Sequence, residues 1–157
     1  MKREDYPRHN FHSYVQLHKA TAADELRPVM NYIHFKNGYA YATNAHILVK
    51  AKIEDISSLD FDEIQLLEGK AISAQNFKEM LKHNWIKVTE KGIVSQGEKE
   101  KEITYLFADM DNIGHAPDFE RVLNTEQKVM MDKIAFKPQL FKSLYDALGC
   151  DRQNGIR

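Results

Sequence analysis

The sequence predicts an α+β fold in which two short helices pack on antiparallel sheet, built from a strand, a helix and a three-strand meander used more than once. Three observations predict it. Asn37-Gly38 stands between two runs that alternate in polarity, and Asn-Gly supplies the positive backbone dihedrals that a two-residue hairpin turn requires. Two segments with helical spacing, "SAQNFKEMLKH" at 73–83 and "KPQLFKSLYDALG" at 137–149, each carry one apolar face. Short segments also recur. NYIHF at 31–35 lines up with NWIKV at 84–88, each before a glycine turn, and AISAQNFK at 71–78 lines up with AFKPQLFK at 135–142.

Taken in order, residues 11–18 alternate (Phe11, Ser13, Val15 and Leu17 against His12, Tyr14, Gln16 and His18) and read as a half-buried strand. Residues 22–26 read as one helical turn, stopped at Arg27-Pro28 because the residue before proline avoids helical dihedrals. An extended run from Val29 enters the Asn37-Gly38 hairpin, residues 39–42 return, and 47–53 form a third strand across the polar connection 43–46. The acidic stretch 54–68 reads as a linker or irregular edge, and 70–72 as a short strand. Ser73 is the expected N-cap of the first helix, with Phe77, Met80 and Leu81 on one face. Residues 85–88, 92–95 and 102–109 supply three more strands, and 133–136 another. In the last helix Pro138 suits the first position, Leu140, Phe141, Leu144, Tyr145 and Leu148 form the stripe, and Gly149 is the stop.

Composition limits the function classes. The 22 basic and 23 acidic residues give no global field to attract a polyanion, so any nucleic-acid role rests on local charge placement. No apolar run approaches the roughly 20 residues of a membrane span, and the charged start MKREDYPRHNF lacks an apolar signal core, so the expected compartment is the cytoplasm, with no membrane partner. A single cysteine, Cys150, excludes an internal disulfide and a multi-cysteine zinc site. The seven histidines show no zinc-type spacing, and Asp109-Met110-Asp111-Asn112 lacks the rest of a calcium loop, so no metal or cofactor is expected.

Three motifs, in order, resemble the bacterial replicative sliding clamp, the β subunit of DNA polymerase III. Arg27-Pro28-Val29-Met30 is similar to that family's RPVL strand entry, Ala42-Thr43-Asn44-Ala45-His46-Ile47-Leu48 to its ATDGHRLA corner, and Ala116-Pro117-Asp118-Phe119-Glu120-Arg121-Val122-Leu123 to its FPDYERVIP ending. The likeness covers about residues 11–125. Asn44, Ala45 and Ile47 replace the aspartate, glycine and arginine of the usual corner, and Asn124 stands where proline is common. The resemblance implies a DNA-clamp fold, with duplicated strand-helix-meander units and two helices packed on curved antiparallel sheet. It also implies a non-enzymatic replication or processivity factor that works as a homo-oligomer with DNA, without sequence preference, and with replication proteins.

The candidate sites follow. Thr43, Asn44 and His46 make a polar corner, and Asn and Thr side chains commonly hydrogen-bond their own backbone in such turns, so it reads as structural. No nucleophile, base and acid set is complete there or elsewhere, so no catalytic residue is expected. Lys78 and Lys82 on the first helix and Lys142 on the second are the residues expected to face DNA, set against Glu79 and Asp146 on the same outward faces. Residues 1–127 are expected to form one clamp-like domain, with halves 1–56 and 69–127. Residues 128–157 either open a second domain, cut short, or complete the first, and truncation is the preferred reading. The rival function is a clamp-fold interaction scaffold, of the kind a phage or mobile element encodes, that does not encircle DNA.

Overall fold

The structure is a computed structural model that describes residues 8–23, 25–96, 102–124 and 138–149, with side chains for all but 96, 122–124 and 138–141. Two antiparallel sheets and six α-helices make a mixed α+β fold among these residues. Strands β1 (Tyr32–Lys36), β2 (Tyr39–Thr43) and β3 (Leu48–Lys52) form the first meander. The turn joining β1 to β2 has φ of +54° at Asn37 and +79° at Gly38, the pair of left-handed residues that matches the twist of a hairpin. Helices α1 (Ile53–Ile56) and α2 (Phe61–Leu66) follow, then β4 (Ala71–Ser73) and α3 (Ala74–Met80). The second meander is β5 (Ile86–Val88), β6 (Gly92–Gln96) and β7 (Glu102–Leu106). Helices α4 (Met110–Ile113), α5 (Phe119–Asn124) and α6 (Pro138–Leu148) complete the described chain.

The two meanders sit in matching surroundings. Strand β4, from the second half, pairs antiparallel with β1 of the first in the order β3-β2-β1-β4. Its other side meets the segment after β7, where the Ala108 N–H donates to the Ala71 carbonyl (2.8 Å). Residues 9–12, from the first half, occupy the corresponding place beside β5. The His9 N–H donates to Asn84, and the Ile86 N–H to His9 (2.8 and 2.9 Å). On their other side Phe11 bridges Ser57, just after β3 and α1. Each half therefore lends its leading segment to the other half's sheet. The exchange differs in direction, since His9 pairs parallel to Trp85 whereas β4 runs antiparallel to β1.

Side chains hold the lent segment in place. Asn10 is fully buried, donating from Nδ2 to the carbonyls of Met80 and His83 (2.8 Å each) and accepting the Phe11 N–H at Oδ1. The Arg8 guanidinium donates to Leu81 and His83 carbonyls (2.7 and 2.9 Å), so two side chains satisfy the carbonyls that the end of α3 leaves open. Phe11 then packs edge-on against Phe77 (5.2 Å) and beside Phe35 (6.0 Å), at the centre of one shared core. Helix α6 joins that core through Ala147, next to a 3-10 turn over Leu17–Ala20 and β3. It ends at Gly149 with φ of +68°, where a Cβ would lie 2.7 Å from Tyr14, so glycine alone fits. This places α6 on the first sheet.

Several sequence expectations are corrected here. Residues 11–18 are not a strand: one bridge at Phe11 gives way to a turn and the 3-10 turn Leu17–Ala20. Phe11, Val15 and Leu17 are buried as expected, but they reach the core from a folded-back segment, because Asn10 and Arg8 spend their hydrogen bonds on α3. No helix covers the described residues of 22–26, and a 3-10 turn, Pro28–Asn31, stands where the first strand was to begin. The acidic linker 54–68 contains α1 and α2. Asp60 caps α2 by accepting the Glu63 N–H (2.8 Å), and Glu63 reaches back to the Asp60 N–H, a capping box that the Asp-x-x-Glu spacing encodes. The strand expected at 133–136 lies outside the described residues.

Candidate nucleic-acid interface

Ser73 starts α3 as expected, its Oγ accepting the Asn76 N–H (3.2 Å). Burial of Phe77 and Met80 under that helix turns Lys78 and Lys82 outward. The 3-10 turn Leu17–Ala20 lies between α3 and α6, touching both, so the three form one helical layer over the first sheet. Lys142 stands exposed on α6, and Lys19 projects from the 3-10 turn. The structure thus brings the three expected lysines to one layer and adds a fourth.

Most of that positive charge is answered locally. Lys82 pairs with Glu79 (3.1 Å). Lys19 and Lys142 share the same oxygen of Asp146 (3.2 and 3.5 Å). Burial pushes the Asp146 carboxyl up, but the two lysines outweigh it and hold it below its ordinary value. Lys78 alone of the four has no ion pair among the described residues. Four cations against two carboxylates leave the layer only modestly positive.

Beneath these lysines sits His18. Its Nδ1 is buried with no hydrogen-bond partner among the described residues, and its ring lies 6.3 Å from Phe77. Burial, then Lys19, then Lys78 depress its pKa to about 4, so the ring is neutral at neutral pH. Sequence reasoning missed both His18 and Lys19 because a strand reading of 11–18 gives them no common face with α3.

No family model matches this chain, and neither a curated protein nor a solved structure does.

The polar corner satisfies itself. Thr43 Oγ1 donates to the Ile47 carbonyl (2.7 Å) and accepts the Ala45 N–H (3.2 Å). Asn44 Oδ1 accepts the N–H groups of His46 and Ile47 (2.9 and 3.0 Å). His46 is exposed, and its ring makes no hydrogen bond among the described residues, so no base is aligned on Thr43. Ala45 takes φ of +75°, a left-handed backbone that a residue with a Cβ adopts only at a cost. Among the described residues no three His, Cys, Asp or Glu side chains gather as a metal site would need, and no helix is long and apolar enough to cross a membrane.

Proposed function

We propose that this chain is a sliding-clamp-like, non-enzymatic factor of DNA replication, similar to the β subunit of DNA polymerase III, that works by self-association around or beside DNA. The observation that carries this reading is the reciprocal loan of leading segments between two meanders that share one core. The duplicated fold that the resemblance implies calls for two meanders in comparable settings, and the exchange supplies these, although its two arms run in opposite directions. A second observation supports it at the corner. Ala45, at the position where the family motif has glycine, takes the left-handed φ of +75° that glycine adopts freely. Asn44, at the motif's aspartate, accepts two backbone N–H groups through Oδ1, as an aspartate oxygen does.

Ring formation uses sheet edges. Strands β3 and β7 are the outer strands of their meanders, and β7 exposes Ile103 and Leu106. A weakly basic helical layer fits topological retention, in which a closed ring prevents escape without tight phosphate contacts. The test is retention on nicked circular DNA together with solution mass. A closed oligomer that stays on the circle and runs off the linear form supports encirclement. A monomer that is washed from both ends the clamp reading.

The neutralised lysines favour one rival, an interaction scaffold on the same fold that does not encircle DNA. It shares the corner and the exchange and differs in having no preference for circular DNA in that assay.

A further inference from the structure

A cleft of about 230 Å³ opens on the face of the four-stranded sheet away from the helical layer, where residues 116–119 pass over β1. Nothing in the clamp reading uses it. Its walls are apolar: Phe119 packs against the buried His34 ring (5.5 Å between centroids), and Met110 and Pro117 close the sides. His34 adds no charge, since burial lowers its pKa, against the opposing pull of its hydrogen bond to the Val29 carbonyl.

Two lysines and one acid line this cleft. Lys36, at the end of β1, and Lys70, just before β4, both line it, and neither has a carboxylate oxygen within 4.0 Å among the described residues. The acids nearby keep their charge but have other hydrogen-bond or ion-pair partners, and Glu120 also feels Lys36 through space. Asp118, the one acid in the lining, accepts the Arg121 N–H (3.1 Å). Glu68 accepts the Asn37 N–H (2.6 Å), and Glu120 is held by Lys50 (2.7 Å) and by the Tyr41 hydroxyl. Elsewhere on this sheet a lysine finds its acid, as Lys50 and Lys52 do.

We propose that this cleft binds a small organic carboxylate, its apolar body against Phe119 and Met110 and its carboxylate held by Lys36 and Lys70. The size follows from the volume. A space of 230 Å³ equals about eight waters and falls under the range of drug-sized pockets, so the ligand has about ten non-hydrogen atoms. The charge follows from two lining lysines with no carboxylate partner among the described residues, Lys36 and Lys70, the second with its ammonium 5.9 Å from the Phe107 ring centroid, and a charge-assisted hydrogen bond from either is about twice as strong as a neutral one.

The test uses the full chain and two probes, 3-phenylpropionate and its neutral amide, followed by backbone amide NMR. Expected are saturable shifts confined to residues around 36, 69–70 and 117–119 with the carboxylate. The amide is expected to bind about tenfold more weakly, as are Lys36→Gln and Lys70→Gln toward the carboxylate. Both lysines lie outside the core, so the variants' unperturbed spectra report an intact fold. Absence of saturable shifts, equal binding of the amide, indifference to both lysine variants, or shifts scattered over the surface each overturn the proposal.

Discussion

The ring of Phe119 lies flat on that of Tyr41, with centroids 4.6 Å apart and planes 8° from parallel. This contact docks α5 on the sheet face away from the helical layer. It explains why β1 and β2 are buried on both faces in their middles, although only one face looks apolar in the sequence.

Phe119→Ala removes the stack and opens the core side of the cleft. Unfolding free energy by urea titration is expected to fall by about 3 kcal/mol or more, as for other buried phenylalanines. A loss under about 1 kcal/mol shows that α5 is not docked as described.

Tyr41 gives the same contact a pH signature. Burial first, then its hydrogen bond to Glu120, raise its pKa above the ordinary tyrosine value. A raised folded-state pKa stabilises the protein fully below the unfolded value, about 10, and that stabilisation is lost as pH climbs through the folded one. Stability measured across this alkaline range is expected to decline more steeply for the native chain than for Tyr41→Phe. Parallel curves contradict the assignment.

His18 is expected to titrate with a midpoint of about 4 in its Cε1 proton signal, and Lys78→Met to raise that midpoint, because Lys78 is one of its causes. Its depressed pKa contributes stability above the unfolded value of about 6.5 that is lost as pH falls toward the folded one. A phosphate seated near Lys19 and Lys78 offsets both cations, so duplex DNA is expected to raise the midpoint as well. An unmoved signal at saturating DNA counts against this layer as the face turned to DNA.

Ala45→Gly is expected to stabilise the chain by about 1 kcal/mol, since it relieves a left-handed alanine at the corner while leaving the Thr43 and Asn44 hydrogen bonds in place. Thermal unfolding reads this directly. A destabilised glycine variant places the corner in another conformation.

Asn10→Ala tests the loaned segment. It removes one of two donors to each of the Met80 and His83 carbonyls, which keep the His83 N–H and Arg8 respectively, and it leaves the Phe11 N–H without its acceptor in a buried site. A loss of about 2–4 kcal/mol is expected from urea unfolding with an unchanged slope.

What could be read from the sequence was what neighbouring residues decide among themselves. Asn37-Gly38 sets its own turn, Ser73 caps its own helix, and Thr43 and Asn44 bond their own backbone, so each was legible without knowing the rest. The misread segments take their form from distant partners. Residues 11–18 alternate like a strand, but Arg8 and Asn10 bind carbonyls some 70 positions away and fold the segment back. Glu63 looks like solvated acid in an acidic stretch, yet it is buried between His9 (2.5 Å) and the Val88 N–H (3.1 Å). The lysines of α3 and α6 were legible singly from helical spacing. Their neutralisation by Glu79 and Asp146 was only half so, because Lys19 reaches Asp146 across 127 positions.

The crossed-over leading segments have a consequence for any attempt to divide the chain. A fragment ending near residue 58 keeps its meander but loses β4, and one beginning near residue 69 loses residues 9–12 beside β5. The best substitute for either missing piece is the same piece from a neighbouring molecule, so severed fragments are expected to complete one another.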